Sequence, residues 1–376
     1  MARGSVVEYL ENFVRRGPDC AYVQRRGYRT LRWSYRQVAE TAFRFARELE
    51  RRDIGKGEPV LLWGPNSAEW VAAFFGCALR GAIVVPIDDA GAPDFTERVY
   101  QQVDGRLLLC SRQHSPPSLP TLILEELQET LSGHASARYE AVQSGAADTL
   151  EVVFTSGTTA EPKGVVITHG NVLANIAPLE AEIQRYLGYE RLVHPMGFLN
   201  LLPLSHVFGQ FLGIFLPQLM GGTVIFQDAL RPGEVIRTLR RERVSVMVAV
   251  PRMLQSLKEK IERDLEDEGR LEKFRRQFQS AQGQHFLRRC WIFRRVHRQF
   301  GWKFWAFISG GATLDPVTEE FWGRLGFAVI QGYGLTETTS LISVNHPFRL
   351  GKGSIGKVLA GREVKLAADG EILIRG

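Results

Sequence analysis

Ten residues set between two short apolar runs hold an unusual density of reactive side chains. Residues 152–154 and 165–167 are apolar and suit buried strands. Between them stand Thr155, Ser156, Thr158 and Thr159, with Gly157 and Gly164 giving backbone freedom, Pro162 stiffening the loop and Lys163 supplying one cation. Hydroxyls, free N–H groups and an ammonium are what a polyphosphate needs: successive N–H groups form an anion nest and the Lys offsets charge. The spacing is not that of a Walker A loop, because Pro162 rather than Gly precedes the Lys. The plain alternative is a polar hairpin turn.

A second segment reads Gln331-Gly-Tyr-Gly-Leu-Thr-Glu-Thr338. Together the two stretches resemble the paired signatures of the adenylate-forming superfamily: acyl-CoA synthetases, luciferases and peptide-synthetase adenylation domains. Thr155–Val165 is similar to its phosphate-binding signature, and Gln331–Thr338 to its adenine- and magnesium-binding segment. Each residue type in the second stretch has a task. Gly332 and Gly334 allow close backbone approach, and Tyr333 offers a flat face to a purine. Thr336 can hydrogen-bond an α-phosphate, and Glu337 is a hard oxygen ligand suited to Mg²⁺. The resemblance adds Thr155 as a further magnesium ligand.

Other candidates follow from the same likeness. Leu201-Leu-Pro-Leu-Ser-His206 resembles a third signature, in which a ring near a strand end gates the carboxylate pocket; His206 takes that place. Phe208, Gly209, Phe211, Leu212 and Phe215 follow. They are either plain core or one wall of an acyl tunnel. Ser309-Gly310-Gly311-Ala312 ends a strand with small residues that let a ligand reach the backbone. The resemblance puts this pair of glycines beside both adenine and acyl group.

The elements that must position these groups alternate. Pro59–Trp63, a helix from Ala68 capped by Ser67, and Gly81–Pro86 form a strand-helix-strand unit, which implies a parallel sheet. Ser34 with Gln37 reads as a capping box for a helix over 34–52. Leu107–Cys110 and Thr121–Leu124 repeat the theme, as do Gly221–Phe226, Pro232–Arg241 and Val244–Pro251. The fold expected is α/β: two βα-type subdomains, 1–170 and 171–340, with largely parallel sheets packed together, then the start of a small β subdomain over 341–376. Residues 258–303 form a charge-rich helical insertion. Within it Phe286, Cys290, Phe293, His297 and Phe300 fall at spacings that put them on one face of a single helix, 284–300, opposite Arg288, Arg294, Arg295 and Arg298. That is either a surface helix packed on its domain or one meeting an anionic membrane surface.

Bulk properties narrow the class. The 376 residues are 44% hydrophobic and 23% charged, enough for a large core. Net charge is +6, which favours anionic partners such as nucleotide or CoA, while no nucleic-acid module signature is present. Four cysteines lack metal-ligand spacing, no secretory leader is visible and no long apolar run occurs, so the expectation is a cytoplasmic protein with peripheral membrane contact as an option.

The implied reaction is attack of a fatty-acid carboxylate on the α-phosphate of ATP, with Mg²⁺, followed by transfer of the acyl group to CoA. Lys163, Thr336, Glu337 and His206 are the residues the resemblance makes catalytic. A long acyl chain is expected. An acyl-AMP ligase loading a carrier protein, or a silent acyl- or nucleotide-binding module, is the alternative. The resemblance further implies an Asp that holds the ribose, a hinge, and a small C-terminal domain with a catalytic Lys and most of the CoA site, and no residue of this sequence can be given those roles. Weak adenylate binding and very slow turnover are therefore expected of this chain.

Overall fold

The computed structural model describes residues 3–26, 29–114, 119–155, 162–185, 194–347, 351 and 353–376. Two compact units share them. The first comprises 1–189, 203–226 and 336–340; the second comprises 190–202, 227–335 and 341–376. Residues 203–226 and 336–340 thus belong to the unit begun by the amino-terminal half.

In the first unit the chain runs α1 (Leu10–Arg16), β1 (Cys20–Arg26), β2 (Arg29–Ser34), α2 (Tyr35–Arg51), β3 (Pro59–Trp63), α3 (Ala68–Arg80), β4 (Ile83–Ile87), α4 (Pro93–Gln102), β5 (Leu107–Cys110), β6 (Thr121–Ile123), α5 (Leu127–Thr130), β7 (Thr149–Thr155), β8 (Lys163–Thr168) and α6 (His169–Gln184). Strands order as β6-β5-β3-β4-β7-β8. Pairing is parallel from β6 to β7, and β7–β8 is an antiparallel hairpin. The expected caps are present. The Ser34 hydroxyl accepts from the Gln37 N–H while Gln37 reaches back to the Ser34 N–H. Ser67 caps α3, whose apolar length buries from Ala68 to Leu79 before Gly81 ends it at φ 68°.

The β1–β2 hairpin is the first departure from the sequence reading, which assigned no strand before Pro59. Its buried stripe is confined to residues 21–24 and Trp33, among four arginines. The apolar alternation that marks a strand is therefore short.

The second unit has β9 (Gly197–Asn200), then β11 (Val246–Ala249), β12 (Ala306–Ser309) and β13 (Ala328–Tyr333), all parallel in the order β9-β11-β12-β13. Strand β10 (Thr223–Gln227), which through Phe226 belongs to the first unit, lies beside β1 of that unit. Antiparallel β14 (Ser343–Val344) and β15 (Lys357–Val358) extend from β13, and β16 (Glu363–Leu366) pairs with β17 (Ile372–Arg375) as a separate hairpin. An aromatic cluster of Phe300, Phe304, Phe307, Trp322 and Phe327 packs the parallel sheet, with ring centroids 4.6 to 6.3 Å apart. Such pairs add about 0.5–1.5 kcal/mol each beyond burial.

The short helices α7 (Val207–Gln210) and α8 (Leu216–Leu219) belong to the first unit and flank a π-helical turn over Phe211–Phe215. The second unit carries α9 (Pro232–Arg241), α10 (Pro251–Asp267), α11 (Leu271–Ser280), α12 (Phe286–Ile292), α13 (Arg294–Phe300) and α14 (Pro316–Leu325). The single helix expected over 284–300 is two, broken at Phe293. The break changes the faces. Phe293 and Phe300 are buried, Cys290 and His297 half-buried, and Phe286 is exposed.

Candidate functional site

Four groups of the expected residues can be placed, and each stands at or just beyond the carboxyl end of a strand. That is where open α/β sheets bind ligands.

The β7–β8 hairpin sets Thr155 directly opposite Lys163, so both stand at the mouth of the intervening loop. Ser156, Gly157, Thr158 and Thr159 lie outside the described residues, as does the Thr155 side chain. Lys163 is exposed and meets no acid among the described residues. Gly164 has a different reason from backbone freedom: a Cβ there would come within 2.7 Å of Val152 and 3.2 Å of the Phe154 ring. It is small so that the hairpin can close.

Buried titratable groups lie on both sides of this loop. Glu151 of β7 is fully buried, and burial pushes its carboxyl up to about 7. Its Oε2 accepts from the Gln210 amide at 2.8 Å. The Oε1 atoms of Glu151 and of Gln210 have no partner among the described residues. A protonated Glu151 gives that pair a donor where the ionised form has two acceptors. His169, first residue of α6, accepts the Val6 N–H on Nδ1 at 3.1 Å, and burial pushes its imidazole down to about 4. No feature of the local sequence marks Glu151 or Gln210, which are 59 residues apart.

The Leu-Pro-Leu-Ser-His segment is pinned to the ends of β3 and β4. The Leu204 N–H donates to Asn66 Oδ1 at 2.7 Å. The Ser205 hydroxyl donates to Asp88 Oδ2 at 3.3 Å, and His206 Nε2 lies 3.4 Å from the same oxygen. The His206 hydrogen bond, against the opposing effect of burial, holds the Asp88 carboxyl below its usual range. Asp88 is thus a partner that sequence reading missed. Its signal was position: a polar residue at the carboxyl end of the Ile-Val-Val-Pro-Ile strand. His206 itself is exposed. Phe208 is half-exposed, Gly209 is buried, and Phe211 is buried against Phe215, centroids 5.9 Å apart. Phe215 in turn contacts Tyr9 and Phe74, so Phe211 joins a packed aromatic core.

Thr336–Thr338 forms a 3-10 turn in the first unit, with Glu337 exposed and facing no cation among the described residues. The next two residues are strained: Thr339 has φ 53° and Ser340 φ 86°. A β-branched residue there is a genuine outlier, costing about 1–3 kcal/mol, and such strain gathers at ligand sites.

In the second unit Ser309 of β12 pairs in register with Gln331 of β13. Gly310–Ala312 and Gly332–Gly334 therefore leave one sheet edge side by side. Gly311 has φ 80° and open space where a Cβ would stand. The buried Ser309 hydroxyl has no partner among the described residues. Gln331 is locked by Asn345, which accepts its N–H on Oδ1 at 3.1 Å and donates its own N–H to Gln331 O at 2.9 Å. Tyr333 is half-buried. The edge carries small residues, is open over Gly311 and has Gln331 held by Asn345, which fits the approach of a planar ligand to backbone.

No group of three metal-ligating His, Cys, Asp or Glu side chains occurs among the described residues. A single exposed carboxylate, Glu337, matches a Mg²⁺ that keeps its waters and phosphate oxygens as other ligands. A surface cavity of about 380 Å³ at the amino ends of β3 and β4, partly lined by Glu58 and Arg106, lies at the wrong end of the sheet for these residues.

The AMP-binding enzyme family matches residues 10–376. The long-chain-fatty-acid–CoA ligase FadD15 of Mycobacterium bovis is 25% identical over 365 residues, covering 86% of this chain and 59% of that protein. The N-terminal domain of FACL13 from Mycobacterium tuberculosis superposes with TM-score 0.74 at 22% identity, covering 99% of this chain and 86% of that one. The anthranilate CoA ligase AuaEII, in complex with anthranoyl-AMP, superposes with TM-score 0.75 at 22% identity, covering 100% and 69%. The chain spans about half the length of the curated relatives it matches. The expected α/β fold with largely parallel sheets is the one found, and the chain belongs to the AMP-binding enzyme family.

Proposed function

We propose that this chain carries the nucleotide- and acyl-binding part of an ATP-dependent ligase that activates a long-chain fatty acid as its acyl-adenylate, for transfer to CoA. The observation that carries the reading is the second unit's sheet edge: Gly310–Ala312 beside Gln331–Gly334, with space over Gly311 and a Ser309 hydroxyl that has no partner among the described residues. The relatives support fatty-acid chemistry, since FadD15 is named for long-chain fatty acids. AuaEII is named for anthranilate, so chain length rests on the likeness to the former group.

The roles follow residue by residue. Lys163, with the hydroxyls of Thr155, Ser156, Thr158 and Thr159 and the Gly157 backbone, holds the phosphates and the departing pyrophosphate. Tyr333 stacks the purine, while Gly310, Gly311, Ala312, Gln331, Gly332 and Gly334 let it approach the backbone. Thr336 hydrogen-bonds the α-phosphate. Thr155 and Glu337 would hold a Mg²⁺, which when bound offsets phosphate charge. His206, positioned by Asp88, presents its imidazole to the acid's carboxylate, with Phe208 and Gly209 beside it and Phe211 supporting the wall from behind. The carboxylate oxygen bonds to the α-phosphorus as the bond to the pyrophosphate oxygen breaks. Catalysis is then positioning and charge stabilisation.

The test is calorimetric titration of the chain with non-hydrolysable palmitoyl- and acetyl-adenylate mimics. Preference for the palmitoyl compound is expected. Equal affinity for both, or none for either, contradicts the reading.

A further inference from the structure

The charge of this chain is concentrated in one stretch. Between Glu272 and Asp315 there is no acidic residue, yet nine of the 47 basic residues fall there. The chain's net charge is +6, so the remainder carries −3. The same stretch holds the exposed large aromatics. Among the described residues the exposed Phe and Trp side chains are Phe286, Trp291 and Trp302, at 51%, 68% and 78%. Leu287, at 62%, precedes Trp291 by one helical turn, so the two share a face of α12.

The packing explains why that face is left outward. Phe293, Val296 and Phe300 turn into the domain and anchor α13. Arg289 is drawn inward, donating to Gly323 O at 2.6 Å. Arg295 pairs with Glu268 at 3.0 Å. Arg294 lies 4.9 Å from the Trp291 ring centroid and donates to Trp291 O. Arg288 and Arg298 are exposed, and their side chains have no hydrogen bond or ion pair among the described residues. The second exposed Trp is likewise accompanied by a cation, Lys303 Nζ standing 5.5 Å from the Trp302 ring.

We propose that α12 and α13 form a docking surface for an anionic lipid bilayer, with Leu287 and Trp291 entering the headgroup layer and Arg288, Arg294 and Arg298 meeting lipid phosphates. A polyanion such as RNA needs the arginines but has no use for an exposed Leu, Phe and Trp on one short helix. An apolar protein partner needs those side chains but not an acid-free stretch of nine cations. A charged bilayer uses both, because Trp favours the interface and each cation near an anionic surface adds about 1 kcal/mol. No helix among the described residues is long and apolar enough to cross a membrane, so the contact is peripheral. The proposal does not depend on acyl activation.

The experiment is co-sedimentation of the chain with phosphatidylcholine vesicles, with and without phosphatidylglycerol, at low and high salt. Binding is expected to the mixed vesicles, to fall with salt, and to be nearly absent on phosphatidylcholine alone. Arg288→Glu with Arg298→Glu should weaken it by at least about thirtyfold, and Leu287→Ser with Trp291→Ser should weaken it independently. These side chains are exposed, so unchanged circular dichroism and melting temperature confirm the fold of each variant. No binding to the mixed vesicles overturns the proposal. So does binding that survives either double substitution. Loss with the arginine pair alone, together with equal binding to single-stranded RNA, identifies a general polyanion patch instead.

Discussion

The two sheet edges that hold the candidate residues are built on different physical principles. The edge at β7–β8 presents charge: among the described residues Lys163 at the loop mouth meets no acid, and the strand behind it buries Glu151 without a cation. The edge at β12–β13 presents shape. Its residues are Gly310, Gly311, Ala312, Gly332 and Gly334, with Asn345 clasping Gln331 at the start of the latter pair. A phosphate-binding edge needs ammonium, hydroxyls and N–H groups and tolerates mobile side chains. A face that admits a planar ring needs missing side chains and a fixed backbone. The contrast predicts that the first edge responds to pH and charge, and the second to loss of a single buried hydrogen bond.

The largest expected effect is on stability at the first edge. Glu151 titrates near 7 in the fold, while the unfolded chain ionises it in the ordinary carboxylate range. Between those values the unfolded state binds fewer protons, so stability falls as pH rises through that window and stays reduced above it. Glu151→Gln removes this effect and lets the two amides pair head to tail. It should stabilise the chain by roughly 3 kcal/mol at about pH 8 and add little at about pH 4. His169 works in the opposite sense. Its imidazole is held down to about 4 from an ordinary 6.5, so stability is lost as pH falls from the upper value to the lower. His169→Gln should flatten that limb alone. Melting temperatures across pH check both, and a Glu151→Gln variant with an unchanged pH profile removes the distinction between the edges.

A smaller effect is expected at the second edge. Asn345→Ala leaves the buried Gln331 N–H without its acceptor, at a cost of about 1–3 kcal/mol that does not vary with pH. Denaturant unfolding at two pH values measures it. A pH-dependent loss would mean that charge governs this edge too.

What the sequence made legible was local. Ser34 and Ser67 announce their helices because a cap acts within three residues. Strands β3 and β4 show as apolar runs because a parallel sheet is covered on both faces. Glycines at 310, 311, 332 and 334 mark the second edge for the same reason: their meaning lies in the residue itself. Asp88, Glu151, Gln210 and Asn345 were missed because each acts through a partner brought close by the fold, Asp88 with Ser205 across 117 positions. The paired helices α12 and α13 were read as one because the apolar spacing continues across Phe293. Only packing shows that Phe293 turns inward while Phe286 turns out.

The most direct test of the account is calorimetric titration of adenosine, inorganic pyrophosphate and ATP, with Mg²⁺ present, against three proteins: the chain itself, Lys163→Ala and Tyr333→Ala. A charge-assisted phosphate contact contributes about 1.5–3 kcal/mol, and stacking of a base on an aromatic ring about 1–3 kcal/mol. The account predicts that Lys163→Ala weakens pyrophosphate and ATP while sparing adenosine, and that Tyr333→Ala weakens adenosine and ATP while sparing pyrophosphate. Equal loss of all three ligands in both variants would contradict the division of tasks between a charged edge and a shaped one.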